Sequence, residues 1–196
     1  MMNNYDKITQ ALNFFVRKNT NSRIQKLKAI KLIWAADRYH LRKYGRLVSA
    51  DEYVAMPFGP VASNAKNIAD SDTMWLTEDV LEKAKKYITP SEDRKIIFSH
   101  KDVEKRLFSK TDVEALEFAW SEFGGLDGFR IADISHDYPE WAKHRDNFEL
   151  GLLRRKDIDP VDFFDNPTNL THLQKDPFVL DDSILKDSKE VYTGAL

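Results

Sequence analysis

The sequence predicts a predominantly helical α+β protein: a helical core, one or two small β-hairpins and an extended C-terminal arm. Three observations predict it. Apolar residues recur at three- and four-residue steps over two stretches near the N-terminus and again after Ser109. Short apolar runs separated by turn residues lie between them. From about residue 157 the periodicity weakens, and apolar residues come in clumps among Asp and Asn. The 196 residues suit one domain with an extension, which we divide as 1–150 and 151–196.

The first helix is expected over 4–18, where Tyr5, Ile8, Leu12, Phe15 and Val16 share one face before Asn19-Thr20-Asn21 breaks it. Ser22 and Gln25 have the spacing of a capping box, so a second helix is expected to start there. Ile24, Leu27, Ile30, Trp34 and Leu41 carry its stripe to Gly45. Leu32, Ile33, Ala35, Ala36 and Tyr39 widen that stripe, which marks a helix central in the core and confines Asp37, Arg38 and Arg42 to the remaining edge. Leu47-Val48 and Tyr53-Val54-Ala55-Met56 read as a small β element, Phe58-Gly59-Pro60 as a turn and 61–69 as a brief helix. A second hairpin is expected over 84–98 around Pro90-Ser91-Glu92-Asp93. Ser109 and Asp112 can cap a helix bearing Val113, Leu116, Ala119, Trp120 and Phe123, which Gly124-Gly125 stops. A short helix over 127–135 and a turn or two after Pro139 complete the domain.

Composition excludes several classes. There is no Cys, so disulfide frameworks, thiolate metal sites and Cys nucleophiles are out. The N-terminus lacks a basic run followed by an apolar one, and no apolar stretch approaches spanning length, so a cytoplasmic location without membrane contact is expected. The net charge of −2 hides an asymmetry. Residues 1–50 carry eleven Lys and Arg against two carboxylates, whereas residues 157–196 carry three against nine. Such a basic front and acidic tail either pair internally or form two binding surfaces of opposite sign.

Three blocks carry a family resemblance. Residues 31–46, Lys31-Leu32-Ile33-Trp34-Ala35-Ala36-Asp37-Arg38-Tyr39-His40-Leu41-Arg42-Lys43-Tyr44-Gly45-Arg46, resemble the Panacea (SocA-like) antitoxin domain, also labelled phage-associated protein. Asp51-Glu52-Tyr53-Val54-Ala55-Met56-Pro57-Phe58-Gly59-Pro60-Val61 continues the match, and Ile134-Ser135-His136-Asp137-Tyr138-Pro139-Glu140-Trp141 is similar to the family's Ser/Thr-His-x-x-Pro-x-Trp segment. The resemblance spans roughly 5–145. It implies the antitoxin of a type II toxin–antitoxin pair, which neutralises a cognate protein toxin, encoded by the adjacent gene, through direct contact. One member's link to delivery of its toxin to a protease extends the implied roles to adaptor.

Each polar cluster has a functional and a structural reading. Asp37, Arg38 and Arg42 can offer a charged patch to the partner, or be buried and paired, since an unpaired buried charge is costly. Tyr39 and His40 fit the motif as structural residues. His136 beside Asp137 invites hydrolase chemistry, and His40, His136 and Asp37 a metal site, if the fold unites them. No Gly-x-Ser-x-Gly or His-Glu-x-x-His supports either, so neither catalysis, metal nor cofactor is expected. His136, Pro139 and Trp141 instead suit a loop anchored by a buried indole. Gly45, Gly59 and Pro60 are turn residues, Gly59 allowing a positive φ. The alternative function is a nucleic-acid-binding transcriptional regulator. Arg17, Lys18, Arg23, Lys26, Lys28, Arg42, Lys43 and Arg46 could meet phosphates, and a helix pair followed by a hairpin is similar to winged-helix topology. In the tail, Phe163, Phe164, Phe178 and Leu180 are either apolar anchors in an acidic surround that grip the toxin, or residues that pack on the basic helices.

Overall fold

The computed structural model describes residues 4–195. α1 (Asn4–Lys18) buries Ile8, Leu12, Phe15 and Val16, the stripe read from the sequence. β1 (Arg23–Gln25) follows, then α2 (Lys26–Tyr44), closed by Gly45 in the left-handed conformation at φ +67°. β2 (Tyr53–Met56) and β3 (Gly59–Ala62) form a hairpin that leads into α3 (Ser63–Ala69) and α4 (Glu78–Lys85). β4 (Ile88–Pro90) and β5 (Ile96–Ser99) form a second hairpin. α5 (Lys110–Phe123), α6 (Gly128–Ser135), α7 (Pro139–Ala142) and α8 (Arg145–Glu149) complete the helical layer. The C-terminal segment adds β6 (Lys156–Asp157), a 3₁₀ turn (Pro160–Phe164) and α9 (Asp182–Thr193).

α2 is the axis of the molecule. It packs against α1, α5, α6 and α9, which is why almost its whole circumference is apolar. Two three-stranded antiparallel sheets flank it, in the orders β1-β5-β4 and β3-β2-β6. In the second, Tyr53 faces Ala62 and Val54 lies between Val61 and Asp157. Among the described residues no helix is long and apolar enough to cross a membrane.

Three departures from the sequence reading have physical causes. The second helix does not start on a Ser22–Gln25 capping box: Ser22 has a positive φ, residues 23–25 pair with 96–98, and the Gln25 side chain accepts from Gly128 N instead. Phe58-Gly59-Pro60 is not all turn, because Gly59 and Pro60 pair with Met56 and Ala55 as the first residues of β3. The apolar pair Leu47-Val48 is not a strand; it lies in the loop after α2, with Val48 buried.

The C-terminal arm wraps the domain. Ile158, Phe163, Phe164 and Phe178 belong to the same core as α1 and α2, so the packing is continuous across residue 150. The basic front pairs mainly with the middle of the chain, not with this arm. Lys7 and Arg46 meet Asp112, Arg17 meets Asp102, Lys18 meets Glu117, Lys26 meets Asp70 and Lys43 meets Glu114.

Candidate functional site

The polar edge of α2 is enclosed, and each of its residues has a defined partner. Asp37 accepts from Ser49 N at 2.9 Å, from the Ser49 hydroxyl and from Tyr53 OH at 2.7 Å, tying the base of the β2–β3 hairpin to α2. Burial pushes its carboxyl up while those donors pull it down. Arg38 donates to Glu140 Oε2 at 2.6 Å and to the Asp165 carbonyl at 2.7 Å, and Trp34 Nε1 donates to the other Glu140 oxygen at 2.8 Å. Glu140 is fully buried; desolvation raises its carboxyl and the Arg38 charge opposes this. The ring of Tyr138 lies 4.4 Å beneath the Arg38 guanidinium.

Tyr39 stacks on Phe118 at 4.0 Å and donates to Glu114, which also takes hydrogen bonds from Lys43 and Tyr44. Those donors hold the Glu114 carboxyl down at about 2. His40 lies between the Arg46 carbonyl (2.7 Å) and Thr111 Oγ1 (3.0 Å), and burial lowers its pKa. A carbonyl can only accept, so Nδ1 carries the proton and Nε2 accepts from Thr111.

Arg42 is spent on the C-terminal segment. It donates to the carbonyls of Phe163 (2.9 Å), Phe164 (2.7 Å), Asp165 (3.2 Å) and Phe178 (3.2 Å), and to Asn166 Oδ1 at 2.6 Å. Burial lowers it to about 10, so it stays charged at neutral pH.

The third motif block, which supplies Glu140, also packs against the β2–β3 hairpin. His136 stacks on Trp141 with ring centres 3.7 Å apart, and Trp141 Nε1 donates to the Met56 carbonyl at 2.8 Å. Burial holds His136 down at about 4, so its imidazole is neutral. Pro139 occupies the first turn of α7, where its missing N–H costs nothing. Two glycines are required by their surroundings. A side chain at Gly59 (φ +90°) would fall on Ser135 Oγ and 2.8 Å from Lys31 Nζ, and one at Gly45 would meet the Ser188 carbonyl of α9 at 2.6 Å. Pro60 offers its carbonyl to Lys31 Nζ at 2.7 Å. Lys31 is fully buried with that one acceptor, and desolvation drops it to about 7.

The expected contact residues are therefore internal. Asp37, Arg38, Arg42, Phe163, Phe164 and Phe178 are all buried, and Leu180 is half-buried. The surface edge expected for the three charged residues is covered by the arm and by α7. Asp37, His40 and His136 do not converge on one point; each sits in its own network. Sequence reasoning missed Glu140 as the partner of Trp34 and Arg38. Its signal was a carboxylate between the apolar anchors Pro139 and Trp141, a place that exposes no charge to water.

What remains outside is apolar in patches. Phe58, at the hairpin tip, and Phe129, on α6, are 57% and 55% exposed and meet edge to face at 6.0 Å. Trp75 and Met74 project between α3 and α4, beside a groove of about 360 Å³ floored by Val54, Met56 and Val61. Leu150 and Leu152 project from the loop before β6.

A family model described as Antitoxin SocA-like, Panacea domain, matches residues 30–142. No curated protein and no solved structure matches the chain.

Proposed function

Since the chain belongs to the SocA-like Panacea antitoxin family through residues 30–142, we propose that it neutralises a cognate protein toxin by direct, stoichiometric binding. The observation that carries the reading is a division of labour inside the matched residues. His40 and the buried charges Asp37, Arg38, Arg42 and Glu140 are bonded internally and His136 is stacked on Trp141, while the large apolar side chains left exposed are the contact type: Phe58, Met74, Trp75 and Phe129. Exposed aromatic residues on a rigid scaffold supply binding area at small entropic cost, which is what an occluding partner needs. The grip is assigned to these residues, with Phe58 and Phe129 as its centre, in place of the α2 charges. The acidic tail contributes complementary charge to a basic toxin through Asp181, Asp182 and Asp187, which are all exposed.

Co-expression with the product of the adjacent gene tests this. That product is expected to arrest growth alone, to be harmless beside this chain, and to co-purify with it. Phe58→Ser combined with Phe129→Ser is expected to abolish rescue and co-purification while leaving the melting temperature within a few degrees of wild type. A harmless neighbour, or rescue without co-purification, refutes direct neutralisation.

A further inference from the structure

The C-terminal segment is held as a domain holds a foreign peptide. Among the described residues, 166–180 make no main-chain hydrogen bond to the rest of the fold, and within the segment there is only a local turn at Pro177-Phe178. The segment has neither helix nor strand there, and family-domain side chains hold its backbone at Thr171, His172 and Phe178 and just before it at 163–165. Arg42 takes four carbonyls and Arg38 one of the same four. Asp137 accepts from the amides of Thr171 and His172, both at 2.9 Å, and Arg130 donates to the His172 carbonyl at 2.7 Å. One side chain is read closely. Phe178 enters a box of Trp34, Phe118, Phe123 and Tyr138, with ring centres 5.2–5.8 Å away, and the Arg38 guanidinium lies 5.5 Å above it. All of these anchors lie within residues 30–142, the matched family stretch, whereas the segment they hold lies outside it.

We infer that the family domain carries a peptide-binding groove which reads main-chain carbonyls and one aromatic anchor, and that residues 157–180 are its ligand in cis, exchangeable with the same segment of a second copy. Contacts to carbonyls recognise any extended chain; the aromatic box supplies the selectivity. The tether permits exchange. Leu150, Gly151, Leu152, Arg154 and Arg155 are exposed, and the main-chain bonds of residues 150–153 run back only to 146–148. Gly151 has a positive φ and nothing near where a side chain would stand. Opening this loop therefore removes no groove contact. The inference needs no toxin, so its failure and that of the antitoxin reading are separable.

The test is a full-length chain with a specific protease site inserted between Gly151 and Leu152. After cutting, the two fragments are expected to co-elute with an unchanged circular dichroism spectrum. A fluorescent peptide of residues 156–196 is then expected to replace the resident fragment without denaturant, and not to enter the uncut chain at the same concentration. Unlabelled Phe178→Ala peptide is expected to compete about a hundredfold less well, the loss a buried aromatic carries. Asp165→Ala, whose carbonyl rather than carboxylate is contacted, is expected to compete within about fivefold of wild type. Unfolding on cutting, no exchange short of denaturant, or equal competition by wild type and Phe178→Ala would each overturn the inference.

Discussion

Arg42 shows how one side chain can join two parts of a chain that share no secondary structure. Its donors meet four carbonyls and one amide oxygen of the arm, so truncation deprives the buried carbonyls of Phe163, Phe164 and Phe178 of this donor. Arg42→Ala is expected to destabilise the protein by about 3–5 kcal/mol, read from denaturant melts. Arg42→Lys should recover only part of this, because a point charge cannot serve a fan of carbonyls. Lys31 is a buried cation without a carboxylate partner among the described residues, and its consequence is a pH dependence. It releases its proton near 7 in the folded protein against 10.5 ordinarily. Between those values the unfolded chain holds the extra proton, so stability rises with pH. The melting temperature is expected to climb from pH 7 to 9, and the climb should flatten in Lys31→Met.

Elements were legible where their signals are local. α5 carries both ends in its sequence: Ser109 accepts from Asp112 N at 3.1 Å, Asp112 accepts from Ser109 N at 2.8 Å, and Gly124 follows the last turn. Ser109→Ala is expected to cost about 1 kcal/mol in a thermal or chemical melt. α1, the body of α2 and the hairpin strand Tyr53–Met56 were legible for the same reason, namely unbroken periodicity. The start of α2 was not, because residues 23–25 are drawn into a sheet by a partner more than seventy residues away. α9 was not, because its buried face, Leu185, Ser188 and Tyr192, is too sparse to stand out among the charges around it. The candidate site divides similarly. That Asp37, Arg38 and Arg42 needed partners followed from their place on an apolar helix. That Arg42's partners are carbonyls of a distant loop did not, since a main-chain oxygen leaves no mark in a sequence.

At the scale of the whole molecule, internal pairing shapes what the surface can do. Seven of the eleven basic residues in 1–50 sit in ion pairs with carboxylates between Asp70 and Glu140. Few phosphate contacts then remain, and a mobility-shift titration with duplex DNA is expected to show no binding at about 0.15 M salt. Strong retention with a steep salt slope would instead favour the regulator. The enclosure of α2 by the last fifth of the chain has a consequence for synthesis. A ribosome delivers the central helix first and its carbonyl acceptors last, so the guanidinium of Arg42 waits in water until Phe178 has cleared the exit tunnel. A product cut short by a premature stop or a nick in the message would leave that helix uncovered and open to proteolysis. The part of the core built around Phe163, Phe164 and Phe178 therefore closes only after residue 178 has been made.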